Sequence, residues 1–256
     1  MKRLLSVQRL SKFYGEQLAC DDIGFDLYEG EVLAIVGESG SGKTTLLRCL
    51  AGLLPPNNGR ILYHGKDGQP VDIVLTSEAV RRNLLRTEWG FVHQDARDGL
   101  RMGVSAGANI GERLMAIGDR HYGHIRSSAE QWLGRVDIPI SRIDDSPWTY
   151  SGGMRQRLQI SRNLVTAPRL MFMDEPTGGL DVSVQARLLD LMRGLVRDLG
   201  LAVILVTHDL AVARLLSSRM MVMQHGRVVE QGLTDQILED PQQPYSQLLV
   251  SSVLQV

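Results

Sequence analysis

Gly37-Glu38-Ser39-Gly40-Ser41-Gly42-Lys43-Thr44 is the most informative stretch of this sequence. It fits the spacing G-x-x-x-x-G-K-[ST] and lies between the apolar run Val32–Val36 and a series of helically spaced leucines, Leu46, Leu47, Leu50 and Leu53. Its glycines allow backbone N–H groups to turn inward around phosphate oxygens, and the start of the next helix adds partial positive charge. The stretch therefore predicts a phosphate-binding loop between a buried strand and a helix.

Four polar side chains, two in this loop and two after a later strand, have predicted roles. Lys43 is expected to reach the β- and γ-phosphates of a nucleotide, and Thr44 to offer its hydroxyl to Mg²⁺. Four apolar residues, 170–173, precede Asp174 and Glu175 and predict a second buried strand. That strand would carry Asp174 to the Mg²⁺ edge of the site, and Glu175 would orient or deprotonate an attacking water. Acidic pairs after strands are common, so this interpretation depends on the phosphate loop.

A second glycine-rich segment, Ser151-Gly152-Gly153-Met154-Arg155-Gln156, precedes a predicted helix and forms another potential anion site. Taken alone it would be an ordinary helix cap with flexible glycines. Two such segments in one chain, separated by helical sequence, suggest that the second serves a different nucleotide.

The chain changes character twice along its length. Strand patterns dominate the first third, where Asn57-Asn58-Gly59 predicts a turn before a strand that starts at Arg60. From about residue 95 to residue 166 the sequence predicts mostly helix, and strands and helices then alternate again. Asp181 and Gly200 are the expected N-cap and C-cap of one late helix. The pattern indicates an α/β core interrupted by a helical insertion.

Composition excludes several classes of protein. The 256 residues carry a formal net charge of -1, which argues against nucleic acid as the main partner. The start of the chain does not fit a signal peptide, and the longest apolar run, residues 201–206, is far below the roughly 20 residues of a membrane helix. Cys20 and Cys49 have no metal-type spacing and are expected to be free buried thiols of a cytoplasmic protein.

Taken together, the motifs resemble those of the ABC ATPase family over nearly the whole chain. Residues 37–44 resemble its Walker A motif, 170–175 its Walker B motif and 151–156 its signature motif. Gln94 stands at the Q-loop, residues 179–181 at the D-loop, His208 at the switch histidine and Tyr14 at the adenine-stacking aromatic position. The resemblance implies an ATPase that uses ATP and Mg²⁺ and closes with a second ABC ATPase chain, either a copy of itself or a paralogue.

The resemblance also implies a fold and a set of site residues. The fold is α/β, with a RecA-like P-loop core, an N-terminal antiparallel β region and an inserted α-helical subdomain. Residues 1–256 are expected to form one ABC domain, divided into the core with its β region (1–94 and 167–236), the helical subdomain (95–166) and a helical tail (237–256). The implied catalytic residues are Glu175, His208 and Gln94, and the implied metal ligands are Thr44, Gln94 and Asp174. The implied nucleotide-binding residues are Tyr14, Gly37, Ser39, Gly40, Ser41, Gly42, Lys43, Thr44, Thr45, Ser151, Gly152, Gly153 and Asp181.

The sequence departs from the family pattern at two motifs. Tyr150 and Met154 replace the commoner Leu and Gln around the signature, and Gly178-Gly179 precedes the D-loop leucine, which predicts a more pliant loop. The remaining histidines, His64, His93, His121, His124 and His225, show no ligand spacing. Arg81, Arg82 and Arg86 are expected to form a solvated helix face rather than an anion site.

The segment between the Q-loop and the signature points to a subgroup. With its flanks, residues 93–101 resemble the ATPase subunits associated with bacterial carbon–phosphorus lyase, which implies lyase core subunits as partners, with Asp98 and Arg101 facing them. The lyase chemistry would belong to other subunits, since this chain has no cysteine trio for an iron–sulfur cluster. Residues 244–249 also resemble the tail of peptide and nickel importer ATPases, so an importer subunit docked on a membrane permease is the alternative. An adaptor that binds ATP without hydrolysing it is disfavoured by Glu175 and His208.

Overall fold

A computed structural model describes residues 2–66 and 68–253 and contains two sheets. The strands are β1 (Arg3–Tyr14), β2 (Gln17–Tyr28), β3 (Val32–Val36), β4 (Asn58–His64), β5 (Pro70–Asp72), β6 (Trp89–Val92), β7 (Leu170–Asp174), β8 (Ala202–Val206), β9 (Arg219–Gln224) and β10 (Arg227–Leu233). The helices are α1 (Lys43–Leu50), α2 (Glu78–Thr87), α3 (Ala96–Gly99), α4 (Ala106–Ala116), α5 (Tyr122–Arg135), α6 (Gly152–Leu164), α7 (Val182–Leu199), α8 (Leu210–Leu216), α9 (Thr234–Glu239) and α10 (Pro244–Val253). Short 3-10 turns at Ile140–Arg142 and Pro147–Thr149 lie between α5 and α6.

The larger sheet has the strand order β10-β9-β3-β8-β7-β6, and its strands pair in parallel except at the β9–β10 edge. Every residue of β3, β7 and β8 is buried, as their uninterrupted apolar sequences predict for strands covered on both faces. The carboxyl ends of these strands share one edge of the sheet, where ligands of α/β folds gather.

The smaller sheet is antiparallel, with the order β2-β1-β4-β5. The predicted turn at residues 57–59 is wrong in part, because Asn58 and Gly59 already belong to β4. Gly59 has φ 100°, and a Cβ there would lie 2.6 Å from the carbonyl oxygen of Arg9. The glycine thus permits a close approach of β4 to β1, a long-range contact that local sequence does not reveal. Leu53, expected on α1, lies beyond the end of that helix at Leu50.

Helices α3 to α6 surround an apolar cluster of their own, built on residues such as Ile110, Leu133, Ile143 and Leu158. The serines before α4 and α6 accept hydrogen bonds from backbone N–H groups of the first turns, as N-caps do. This cluster contains Tyr150, whose hydroxyl donates to the carbonyl of Arg142 at 2.7 Å. The aromatic departure from the family pattern therefore fills the interior of the helical insertion.

Helix α7 begins and ends where the sequence predicts. Asp181 is its N-cap by position, although its side chain makes no capping hydrogen bond, and Gly200 ends it in the left-handed conformation. Helices α8, α9 and α10 pack against β3 and β9 on the same face of the sheet as α7, in a cluster that includes Leu210, Ile237 and Tyr245. In the described part of the chain, none of the helices has the length and apolar character needed to cross a membrane.

Candidate functional site

The glycine-rich loop leaves β3 and wraps around the Lys43 side chain. Lys43 is 5% exposed, and its Nζ donates to the carbonyl oxygens of Gly37 and Glu38, both at 2.8 Å. Burial lowers the pKa of this ammonium group, while the carboxylates of Glu175 and Asp174 act in the opposite direction. A Cβ at Gly37 or Gly42 would lie about 2 Å from a backbone oxygen, so both positions require glycine.

Asp174 ends β7 directly beside the first turn of α1. Its Oδ1 accepts a hydrogen bond of 2.8 Å from the Thr44 hydroxyl, and the residue is only 3% exposed. Burial raises the pKa of the Asp174 carboxyl, partly offset by the Thr44 hydrogen bond. A hydroxyl beside a carboxylate is the oxygen donor set that Mg²⁺ takes from a protein when phosphates supply further ligands, so these residues fit that ion.

Glu175 joins two other predicted residues at the same sheet edge. Its Oε2 lies 3.3 Å from Gln94 Nε2, which donates to it, and 3.0 Å from His208 Nδ1. Gln94 follows β6 and His208 follows β8, so three strand ends supply the three side chains. The arrangement places a carboxylate, an amide and an imidazole around one point, as activation of a water molecule requires.

A cavity of about 710 Å³ connects these groups. Tyr14, half exposed, stands at its rim with Lys12 Nζ 5.5 Å from its ring centroid. The remaining lining residues are Gln17, Leu18, Ala19, Gly37, Glu38, Ser39, Gly40, Gly42, Lys43, Thr44, Thr45, Gln94, Glu175, His208 and Leu249. Ser41 belongs to the loop but is buried and does not line the cavity; its carbonyl oxygen accepts a hydrogen bond from Gly226 N–H. The cavity combines an exposed aromatic ring, a phosphate loop and the Glu175 carboxylate, which suits a nucleoside triphosphate.

The signature residues Ser151, Gly152 and Gly153 and the D-loop residue Asp181 do not line this cavity. Ser151 instead accepts a hydrogen bond from Met154 N–H at the start of α6. Gly153 faces α7 closely, since a Cβ there would lie 2.4 Å from Val184 Cγ1. Within one chain, therefore, the second glycine-rich segment lies outside the cavity that the first one lines.

Three buried amides connect α6 to the strand that precedes Gln94, and two of them, Gln159 and Asn163, lie outside every predicted motif. Gln159 accepts from His93 N–H at 2.6 Å and donates to the His93 carbonyl at 3.2 Å, and Gln156 donates to the same carbonyl at 3.3 Å. Asn163 makes the equivalent pair of bonds with Phe91, at 3.1 and 3.0 Å. Their spacing of three and four residues puts the amides on one helix face, which is the sequence signal that could have revealed them.

Other predicted side chains have structural roles. Arg81 is not simply solvated, because its guanidinium donates to the carbonyls of Ile73 and Thr76, whereas Arg82 pairs with Glu78 on the helix surface. His121 caps α5, and the described residues contain no group of three or more His, Cys, Asp or Glu side chains suited to a metal. Cys20 and Cys49 are buried and free, and burial raises the pKa of their thiols to about 12 and about 11.

Comparison with known proteins gives matches over most of the chain. A family model described as "ABC transporter" matches residues 20–178. The chain is 64% identical, over 98% of its own length and 98% of the relative's, to the putative phosphonates utilization ATP-binding protein PhnK of Escherichia coli (strain K12). It is 36% identical to the dipeptide transport ATP-binding protein DppD of Bacillus subtilis (strain 168), with 99% of this chain and 77% of that protein covered.

A solved structure shares both the architecture and the size of the chain. The dimeric, post-hydrolysis structure of the ATP-binding cassette MJ0796 bound to ADP and Pi superimposes with a TM-score of 0.81 at 26% identity. The match covers 90% of this chain and 99% of that one. The two-sheet fold is thus shared with a protein solved with nucleotide products.

Proposed function

Because this chain belongs to the ABC transporter family of ATP-hydrolysing cassettes, we propose that the 710 Å³ cavity is its ATP site and that Glu175 is its catalytic base. The observation that carries this assignment is the meeting of Glu175 with Gln94 and His208 beside the phosphate loop. Glu175 takes the proton of the attacking water, while the Gln94 amide and the His208 ring hold the water and the γ-phosphate in place. Tyr14 stacks on the adenine ring.

Lys43 and the Thr44–Asp174 pair complete the proposed site. Lys43 is held by two carbonyl oxygens without nucleotide, and its ammonium turns to the β- and γ-phosphates when ATP enters. Thr44, Asp174 and Gln94 would hold Mg²⁺, which would supply positive charge beside the phosphate oxygens.

The signature and the D-loop act on a nucleotide bound by a second cassette. Ser151, Gly152, Gly153 and Asp181 lie outside this chain's own cavity, and Val182 beside the D-loop is 84% exposed. The MJ0796 cassette, which has this fold, was solved as a dimer. Closure of two chains around ATP, as a homodimer or with a paralogue, would bring the Ser151 hydroxyl and the α6 N-terminus to the partner's phosphates.

We further propose that the chain works in the cytoplasm on phosphonate utilisation, bound to the core subunits of a carbon–phosphorus lyase. Support comes from the 64% identity with PhnK over nearly the whole of both chains, against 36% with DppD. ATP-driven closure then remodels the lyase assembly, and the carbon–phosphorus bond is broken by other subunits. The DppD similarity supports the alternative, an importer subunit docked on a permease.

Affinity capture of the tagged chain distinguishes the lyase-associated function from the importer function. The chain is captured from its own cells, grown with a phosphonate as sole phosphorus source. We expect the chain to recover lyase core subunits in a fixed ratio. We also expect the Glu175→Gln variant with ATP to give a more stable complex. Recovery of an integral membrane permease in place of the lyase would establish the importer function. A chain tagged and captured from cells without the lyase genes is the control for nonspecific binding.

A further inference from the structure

The C-terminal helix α10 reaches back to the phosphate loop. The hydroxyl oxygen of Tyr245 accepts a hydrogen bond of 3.1 Å from the backbone N–H of Glu38, although 207 positions separate the two residues. Tyr245 is 8% exposed and belongs to the same apolar cluster as Ala34 and Val36 of β3, the strand that leads into the loop. One turn later, Leu249 lines the nucleotide cavity.

The backbone of Glu38 is consequently held by two hydrogen bonds, one at its N–H and one at its carbonyl oxygen. Its N–H donates to Tyr245, and its carbonyl oxygen accepts from Lys43 Nζ at 2.8 Å. Lys43 has to leave this carbonyl to face the phosphates of a bound nucleotide, and the loop then loses one of its two constraints at this residue. The tyrosine bond does not depend on Lys43, so it can keep the start of the loop in place when the lysine moves.

The tyrosine itself is fixed by its surroundings. The N–H groups that precede α10, at Gln242 and Gln243, donate to the Glu230 carboxylate on β10 at 2.9 and 3.1 Å. These bonds pin the start of α10 to the sheet. A tyrosine ring also has few torsions to lose, so a packed ring carries its hydroxyl to a defined position at low entropic cost.

We propose that Tyr245 is a positioning residue of the nucleotide site, and that α10 stabilises the phosphate-binding form of the loop through the Glu38 N–H. The proposal deepens the ATP-site assignment and rests on the role given there to Lys43. Removing the hydroxyl leaves the Glu38 N–H without this partner, and the loop can then relax into conformations that bind phosphate less well.

The test is the Tyr245→Phe variant, which keeps the ring and its packing. Titration with fluorescent ATP and ADP analogues is expected to give dissociation constants about 3- to 10-fold above those of the wild type, the worth of one ordinary hydrogen bond. The turnover number at saturating ATP should stay within about 2-fold, because Tyr245 touches no reacting group. Ser246→Ala is the matched control, since Ser246 is buried in the same helix turn and its hydroxyl makes no hydrogen bond to the loop.

Lys43→Ala is titrated alongside to keep two failures apart. If Lys43→Ala binds nucleotide as the wild type does, the ATP-site assignment is wrong. If Lys43→Ala binds weakly but Tyr245→Phe matches the wild type, only the tyrosine proposal is overturned. An equal loss of affinity in Ser246→Ala and Tyr245→Phe would also overturn it, because general loosening of α10 would then explain both.

Discussion

Glu175 has a backbone conformation that few residues with a side chain adopt. Its φ is 42°, in the left-handed region, at the first position after β7. Such a conformation costs on the order of 1–3 kcal/mol and persists where the surroundings fix it. Here the Glu175 N–H donates to the carbonyl of Val206 on the neighbouring strand, and its carboxylate meets both Gln94 and His208. The strain turns the carboxylate out of the strand direction and toward the cavity.

Glu175→Gln should bind ATP with nearly wild-type affinity and hydrolyse it about 10²- to 10⁴-fold more slowly, because an amide cannot accept the proton of the attacking water. Phosphate release measures the rate, and light scattering with ATP should detect a long-lived dimer. Glu130→Gln, which replaces a half-buried carboxylate of α5 outside the cavity lining, is the control and should behave as the wild type. Wild-type turnover by Glu175→Gln would remove Glu175 from the catalytic role.

Helix α6 connects two motifs that lie far apart in the sequence. Its N-terminus carries Ser151, and its buried amides hold the backbone of β6 and of His93, next to Gln94. Gln159 is fully buried, and the carbonyl and N–H of His93 satisfy its polar atoms. A rotation of α6 would therefore be transmitted directly to the chain that positions Gln94.

Ser151→Arg should nearly abolish hydrolysis while leaving the ATP affinity of the isolated chain unchanged, since the signature acts on the partner's nucleotide. Loss of the helix cap itself costs about 1 kcal/mol of stability. Ser77→Arg controls for that loss, because Ser77 is likewise an exposed N-cap serine, on α2. Gly153→Asp is the poorer test, as its side chain would collide with Val184 in the same chain. A large drop in ATP affinity of monomeric Ser151→Arg would contradict the division of roles between chains.

The elements that local sequence determines were predictable, and the contacts between them were not. Apolar runs and motif spacing predicted β3, β7, β8 and the phosphate loop, because each depends on neighbours along the chain. The early start of β4 at Asn58 depends on pairing with β1. The hydrogen bonds between Gln159 and the His93 backbone depend on which face of α6 meets β6. Tyr245 and Glu38 are separated by most of the chain, so no local pattern links them.

At the scale of the whole molecule, the segment predicted to contact the lyase is attached to the catalytic edge. Helix α3 follows Gln94 directly, and a Cβ at Gly99 would lie 2.2 Å from Gln159 Oε1. Arg101 already pairs with Glu112 at 2.8 Å, and Glu112 also binds Arg162 at 3.0 Å. Reversing the charge of Arg101 would therefore disturb this internal network, whereas Asp98 is exposed and forms no salt bridge within the described part of the chain, which makes it the cleaner probe of a partner.

Asp98→Arg should weaken binding to purified lyase core and leave basal ATP hydrolysis intact, because the Gln159 amide fixes the backbone next to Gln94 independently of this carboxylate. The control is Asp198→Arg, which makes the same change in net charge at the far end of α7. A desolvated charge pair at the interface would cost about 2–5 kcal/mol when broken, and a rim charge far less. Titration at two salt concentrations distinguishes these cases, since only the contribution of a rim charge is strongly screened. If Asp98→Arg binds the lyase core with the same affinity as Asp198→Arg at both salt concentrations, Asp98 is excluded from the interface. Any binding of the lyase core would then involve another surface of the chain.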